Sequence, residues 1–571
     1  MRPLRRLALV SALGLTGCGG DEADTDASSG AGAASGHGGS AGEGPCPDTE
    51  VPLAAGGCVV PGVPPDACGA GFEPDGANGC EPVLPSTPCG KGSMAVPGET
   101  DCHDVGTCLD DAWRGIGTDA TTQFVDAAFA GSDSDGTLSK PWTTIAEAIA
   151  AATSGAIVAI AAGSYPEDVE VTGKAVRLWG RCPAMVEITG STAEATLTVR
   201  QDAIGSEVRN LSVTGSGYGI LVLAADVMID SVWIHETEGP GVIVRDQLAE
   251  ASVTIDRSLL ETARDVGVGS IGGMVEVLRS AVRDVRPATD GTHGRGIEGI
   301  LSPDTGNPAR VSIVGSVVER NHDLGVSLHG SIAHIEATLV QDTLPQPADL
   351  AAGRGVNAQP LGFTNFDTAL RSELTMLASV VRRNSEIGMF LVGSDASIEA
   401  SVVRDTLAQA ADQRFGRGIE TGGVLIGDEA FRGTLSVRSS LMAQNRDVAI
   451  FAADSEVTLT ATRIDGTLPK DDDGARGDGL AAFGGDVMTT IRVESAWIEQ
   501  SARAGISCFG ANIEVTATRL ECNAIHLDGE VLFDTPFQIV DHGQNRCGCG
   551  GVEEPCTVKT TSLEPPEPLL D

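Results

Sequence analysis

The sequence predicts an all-β fold, a right-handed single-stranded parallel β-helix, on three observations. A phrase of the form apolar-x-x-Ser-Val-Val recurs from about residue 200 onward, as in Ile313–Val318 and Ile398–Val403. The copies are spaced by a fixed length. Glycine is abundant (73) while Tyr (2), Phe (13) and Trp (5) are scarce, the composition of stacked, regular structure with many tight turns.

Aligning the copies gives one column of Val208, Met228, Ile255, Val277, Ile313, Ile335, Met376, Ile398, Val437, Leu459, Val493 and Val515. Five positions later runs a second: Val213, Trp233, Leu260, Val282, Val318, Val340, Val381, Val403, Met442, Ile464, Ile498 and Leu520. Every member is apolar, so both columns are expected to point into the interior, Trp233 included. Leu260 to Val282, Val318 to Val340, Val381 to Val403, Met442 to Ile464 and Ile498 to Leu520 are each 22 residues apart. That length holds about three short strands and three turns, one coil of a parallel β-helix. A third column, Gly267, Gly325, Gly388, Ala449 and Gly505, is expected at a sharp corner. Asn321, Asn384 and Asn445 lie four residues ahead of their small residues and predict an amide ladder in a turn.

Upstream of the repeats the chain divides by composition. Residues 1–18 read as a lipoprotein signal peptide: Arg2, Arg5 and Arg6, an apolar run too short to span a bilayer, then Leu15-Thr16-Gly17-Cys18. Leu-Thr-Gly-Cys resembles the lipobox of bacterial lipoproteins, which implies lipidation at Cys18. Gly19 in place of Asp then points to an outer-membrane or cell-surface address. Residues 19–45, rich in Gly, Ser, Ala and Asp, read as a tether of roughly 30 Å root-mean-square span.

Residues 46–115 are poor in core residues but carry Cys46, Cys58, Cys68, Cys80, Cys89, Cys102 and Cys108, and read as a small disulfide module. Cys547, Cys549 and Cys556 form a second cluster in the 536–571 tail, with Cys508 or Cys522 as partners. Thirteen cysteines follow Cys18, so one thiol is left over. Zinc is the competing use, with His103 beside Cys102, but the C-x2-C pairs of zinc sites are missing.

The β-helix itself spans 122–535. Phe124–Ala128, Gly131–Thr137, Pro141–Ile145 and Ala161–Tyr165 resemble the opening of bacterial surface proteins in the pectate-lyase-like β-helix superfamily. The resemblance implies that Thr144 to Ala152 form a helix capping the open end of the coil, covering the edge that a terminal coil exposes. It implies little about activity, since that superfamily includes lyases, hydrolases and adhesins.

Between the 22-residue coils come steps of 36, 41, 39 and 34 residues. Their extra residues fall at one place and should pile into a wall along one side. The insertions share Asp284, Asp342, Asp405 and Asp465, and three of them reach Gly-Arg-Gly at Arg295, Arg354 and Arg417; the fourth has Asp478 preceded by Arg476. Like side chains two coils apart would recur about every 10 Å. These seven residues form the candidate ligand-facing ladder, able to grip a charged glycan or hold calcium, against the plainer role of bracing the insertions. No catalytic set maps onto the chain, and no cofactor beyond that calcium is implied. His322, His329 and His334 should spread over different faces rather than bind a metal. Trp497 should be exposed. Gly215-x-Gly217-x-Gly219 reads as a coil turn, not a phosphate loop.

Acidic residues outnumber basic ones 79 to 38, giving a formal charge of −41, which disfavours nucleic-acid partners. The expected function is a non-catalytic cell-envelope lipoprotein presenting a repetitive surface for adhesion or glycan binding, with the membrane and a polysaccharide as partners. The alternative is a polysaccharide lyase or hydrolase acting on acidic glycans.

Overall fold

The computed structural model describes residues 46–569 apart from 54–55, 109–112, 114–115, 248 and 364–368. The signal peptide, Cys18 and the tether lie outside the described residues. The chain winds into three long sheets of stacked short strands. Sheet I runs over sixteen strands from Gln123–Val125 to Gln538–Asp541, sheet II over sixteen from Gly163–Tyr165 to Val552–Glu554, and sheet III over fifteen from Val169–Val171 to Val558–Lys559. Pairing is parallel throughout except for the last pair of sheet II. Fifteen steps of a strand spacing make the coil about 70 Å long.

The two apolar columns face inward as expected, the first from sheet I and the second from sheet II, and join one continuous core with Val268, Ile297, Val326, Val356 and Met389 of sheet III. One coil departs from the expected register. Val208 pairs with Ile229 and Val213 with Ile234, so Ile229 and Ile234 fill the interior in place of Met228 and Trp233. A one-residue slip turns a strand side chain to the opposite face. Met228 is therefore exposed, and Trp233 lies on the outside of sheet II.

The glycine column also departs from expectation. Gly267, Gly325 and Gly388 sit within strands of sheet III, not at a corner. They are required by close approach: a Cβ on Gly325 would lie 2.6 Å from the Gly355 carbonyl oxygen, and one on Gly388 2.7 Å from that of Gly418. The asparagines form the expected ladder. Asn384 accepts a hydrogen bond from Thr343 N (3.0 Å) and donates to Val340 O (3.2 Å); Asn321 and Asn445 repeat the pattern. All three are fully buried. Asn384→Ala leaves both backbone groups unpaired and is expected to cost about 1–3 kcal/mol, read as a shifted urea midpoint.

Helix α1 (Ile145–Ala151) caps the first coil. Thr144 accepts a hydrogen bond from Glu147 N at its start, and Ile145, Ala148 and Ile149 are buried on the core. The opposite end is closed by Cys522–Cys549 and Cys547–Cys556. Cys508 is the thiol left over among the described residues, buried and unpaired. Burial pushes its pKa up to about 12. In a chain carrying Cys18→Ser it should resist iodoacetamide at pH 8 and react only after unfolding; labelling of the native chain would contradict the packing.

The cysteine-rich segment is laid lengthwise along sheet II rather than packed apart. Its disulfides close small loops, Cys46–Cys58, Cys68–Cys80 and Cys89–Cys102, and Cys108 bonds to Cys182 of the coil. Contacts run from Pro52 O with Ser495 (2.8 Å), through Gly62 N with Ala461 O (3.0 Å), to Lys91 with Glu236 (2.7 Å). Beneath it lie outward-facing Leu259, Ala281, Val317, Leu339, Val380, Val402 and Leu441, packed against Val63, Met94, Val96 and Val105. Arg283 and Arg382 fasten it, Arg283 to the carbonyls of Gly90 and Ser93 (2.8 and 2.9 Å) and Arg382 to Glu81 (2.6 Å).

Candidate functional site

The insertions do stack. Ala348 N donates to Gly291 O (3.1 Å) and Ala411 N to Leu350 O (3.0 Å), joining three of them into a wall beside sheet III. The predicted ladder residues are present in that wall but are occupied by the protein itself. Asp284 is held by both arms of Arg320 (2.8 and 2.9 Å) and Asp342 by Arg383 (2.8 and 2.7 Å). Asp405 lies 3.5 Å from Arg404. Asp465 is one residue out of step. It pairs with Glu499 in sheet II, and Gly466 takes the backbone place that Asp284, Asp342 and Asp405 occupy with positive φ.

The three arginines turn outward from the first position of sheet III strands, where the wall buries them. Arg295 reaches Asp323 (2.7 Å), Arg354 reaches Glu386 (2.5 Å), and Arg417 reaches Asp447 (2.6 Å) and Glu420 (2.7 Å). Arg503 continues the series with Asp478. Guanidiniums and carboxylates thus alternate from coil to coil. Arg354 and Arg417 are buried, so this ladder braces the fold and does not face a ligand.

The remaining sequence candidates separate. His322 bonds to Val285 O on the wall side, His329 to Ser327 at the end of a sheet III strand, and His334 to Glu336 on sheet I. Among the described residues no group of three or more His, Cys, Asp or Glu side chains is arranged to hold a metal ion. Trp497 is not exposed. It lies on the outer face of sheet II, at 8% exposure, with the Arg463 and Arg519 guanidiniums 4.7 and 4.2 Å from its ring centre.

That tryptophan marks a place the sequence reading missed. The apolar outer column of sheet II ends at Leu441 and gives way to Arg463, Trp497 and Arg519. Two positions further along the same strands, Asp465, Glu499 and Glu521 stand on successive coils. The equivalent positions elsewhere hold Glu261, Arg283, Glu319, Gln341, Arg382, Arg404 and Ala443, so three consecutive carboxylates do not recur. Arg463 bonds Glu499 (2.5 Å) and Arg519 bonds Glu521 (2.8 Å). Burial pushes the Glu499 pKa up; Arg463 pulls it down, and the flanking Asp465 and Glu521 charges push it up again, leaving it raised. Burial also raises Asp465, against Arg463. Glu499 therefore keeps its proton above the usual glutamate range, while Glu521 is held by a guanidinium. Unequal neighbouring carboxyls of this kind can divide the roles of acid and base.

Three parallel sheets, an inward apolar column on each and a buried asparagine ladder at one turn define the architecture. The chain has the pectate-lyase-like right-handed β-helix fold. No family model matches the chain, and no curated protein matches its sequence. Solved structures similar to this β-helix include the catalytic unit of the thermostable GH87 α-1,3-glucanase from Streptomyces thermodiastaticus strain HF3-3, at 15% identity over 75% of this chain and 69% of that one, TM-score 0.36. Pectate lyase Pel9A is similar at 14% identity over 63% and 82%, TM-score 0.34. The GH136 lacto-N-biosidase from Eubacterium ramulus is similar at 8% identity over 75% and 68%, TM-score 0.29. All three titles name enzymes of carbohydrate chemistry; at these identities the likeness concerns the fold alone.

Proposed function

We propose that this pectate-lyase-like β-helix is a cell-envelope lipoprotein, anchored through Cys18 at the outer membrane or cell surface, that hydrolyses a polysaccharide at Glu499. The observation that carries the reading is Arg463 set among Asp465, Glu499 and Glu521 beside Trp497, a group without a counterpart in the other coils. Glu499, raised and protonated, gives its proton to the glycosidic oxygen. Glu521, charged beside Arg519, attacks or stabilises the anomeric carbon as positive charge develops there. Residues on adjacent coils are about 4.8 Å apart, near the roughly 5–5.5 Å that retaining glycosidases use.

Elimination chemistry is disfavoured, since the nearby guanidiniums are tied to Glu499 and Glu521 and an arginine gives up its proton reluctantly. Three carboxylates on a chain of formal charge −41 also favour a neutral or amino-sugar glycan over a uronate polymer. The adhesive surface expected from the repeats loses its residues, because the Asp and Arg ladder is paired internally.

The test incubates the chain with neutral, amino and acidic polysaccharides, with and without calcium. New reducing ends on a neutral or amino glycan are the expected result. Retention without cleavage would leave a binding protein instead, and unsaturated ends would identify a lyase. Anchoring is tested separately: Cys18→Ser should move the protein from the membrane fraction to the soluble one.

A further inference from the structure

After its last strand in sheet III, Val558–Lys559, the chain turns back and runs lengthwise over the outer face of that sheet. Thr561 and Leu563 donate their backbone N–H groups to Glu530 (2.8 and 3.1 Å), and Thr561 Oγ1 bonds Asp528 (2.8 Å). Arg503 then donates to Glu564 O (2.8 Å), Arg417 to Glu567 O (2.7 Å), and Leu569 N donates to Glu420 (2.8 Å). Arg414 pairs with the Glu567 carboxylate. From the coil of Arg503 to that of Arg417 is three steps along sheet III, about 14 Å. Five residue steps of extended polyproline chain cover about 16 Å, so Glu564-Pro-Pro-Glu-Pro-Leu569 fits stretched out.

The receiving surface is built rather than incidental. Arg417, Glu420 and Asp528 are all more than nine-tenths buried, and Arg417 and Glu420 present polar atoms to the segment's backbone. Main-chain groups of an extended segment supply most of the contacts, and Pro566 is buried. Binding of this kind reads a backbone conformation, and prolines hold that conformation in advance.

We propose that the trough over sheet III is a recognition site for extended, proline-rich peptides with interspersed glutamates, and that residues 560–569 are its displaceable internal occupant. A peptide suits the contacts better than a glycan does, because alternating C=O and N–H groups meet Arg503, Arg417 and Glu420 in turn. The site is separate from Glu499, so neither assignment depends on the other.

The experiment uses the full chain carrying Pro566→Asp, which spoils the internal occupant alone, and a fluorescent peptide of sequence TTSLEPPEPLLD. The variant should bind the peptide at least tenfold more tightly than the unaltered chain, whose own segment competes. A Pro566→Asp peptide should bind neither protein. A second variant, Leu569→Asp, should behave as the first does. Folded variants that fail to bind the peptide would overturn the proposal. So would loss of the β-helix in both variants, because the segment would then be inseparable from the fold.

Discussion

Glu499→Gln is expected to lower hydrolysis by 10²- to 10⁴-fold while leaving glycan retention in place. Removing a positioned proton donor costs a factor of that size, equivalent to about 3–5 kcal/mol of transition-state stabilisation. Glutamine keeps the shape and accepts the Arg463 hydrogen bond (2.5 Å) but has no proton to give. Glu521→Gln should be as damaging if that carboxylate meets the developing charge. The pH profile separates these roles from a merely structural one. Because Glu499 is raised, activity should persist above the usual glutamate range and fall as pH climbs through the raised value. Asp465→Asn removes one of the charges that raise it, so the alkaline limb should move to lower pH with the maximal rate little changed.

The same shift carries a stability signature of defined sign. A carboxyl whose folded pKa is raised binds its proton more tightly in the folded state, so its contribution is present in acid and is lost as pH rises through the folded value. Glu499→Gln should therefore raise the melting temperature at neutral pH and leave it unchanged at low pH. Activity unaffected by the substitution, or lost together with the fold, would remove Glu499 from the mechanism.

How much of this was legible beforehand depends on which face of a strand a residue occupies. The inward columns were readable because the interior demands an apolar side chain at every coil, and the period makes the demand visible. The slip at Met228 and Trp233 arose because both are apolar and either neighbour satisfies the pattern. The covered outer face of sheet II was written in the doublets Leu259-Leu260, Val317-Val318, Leu339-Val340 and Val380-Val381. Apolar residues at adjacent strand positions mean that both faces are buried, so these doublets implied a cover before the cysteine-rich segment was seen to supply it. The carboxylate cluster was harder to find, because Asp465, Glu499 and Glu521 are separated by 34 and 22 residues and become neighbours only through stacking. Each lies one position after the second apolar column, and reading that offset column down the chain would have exposed the run of acids.

Arg417→Met is expected to destabilise the chain by about 3–5 kcal/mol, the usual cost of stranding buried charges. The arginine is wholly buried, with Asp447 at 2.6 Å and Glu420 at 2.7 Å, and Phe415 and Phe451 ring centres 4.9 and 4.5 Å from its guanidinium carbon. Burial pushes the Glu420 pKa up even with the guanidinium in contact, a sign of how dry the place is. Methionine fills similar space but strands two carboxyls, of which at least one must then take up a proton. The loss should accordingly be largest at neutral pH and shrink in acid. The exposed pair Arg279–Asp256 offers the contrast, at 59% side-chain exposure for the arginine: Arg279→Met should cost less than about 1 kcal/mol. If sequence repetition here encodes bracing and not recognition, Arg417→Met/Asp447→Asn/Glu420→Gln should recover much of what the single change loses, since an apolar or neutral replacement of a whole buried ion network is commonly tolerated. Urea melts of the four proteins decide it. A single variant within 1 kcal/mol of the parent would mean that the alternating charges are spare, and would return the ladder to the ligand-facing role its repetition first suggested.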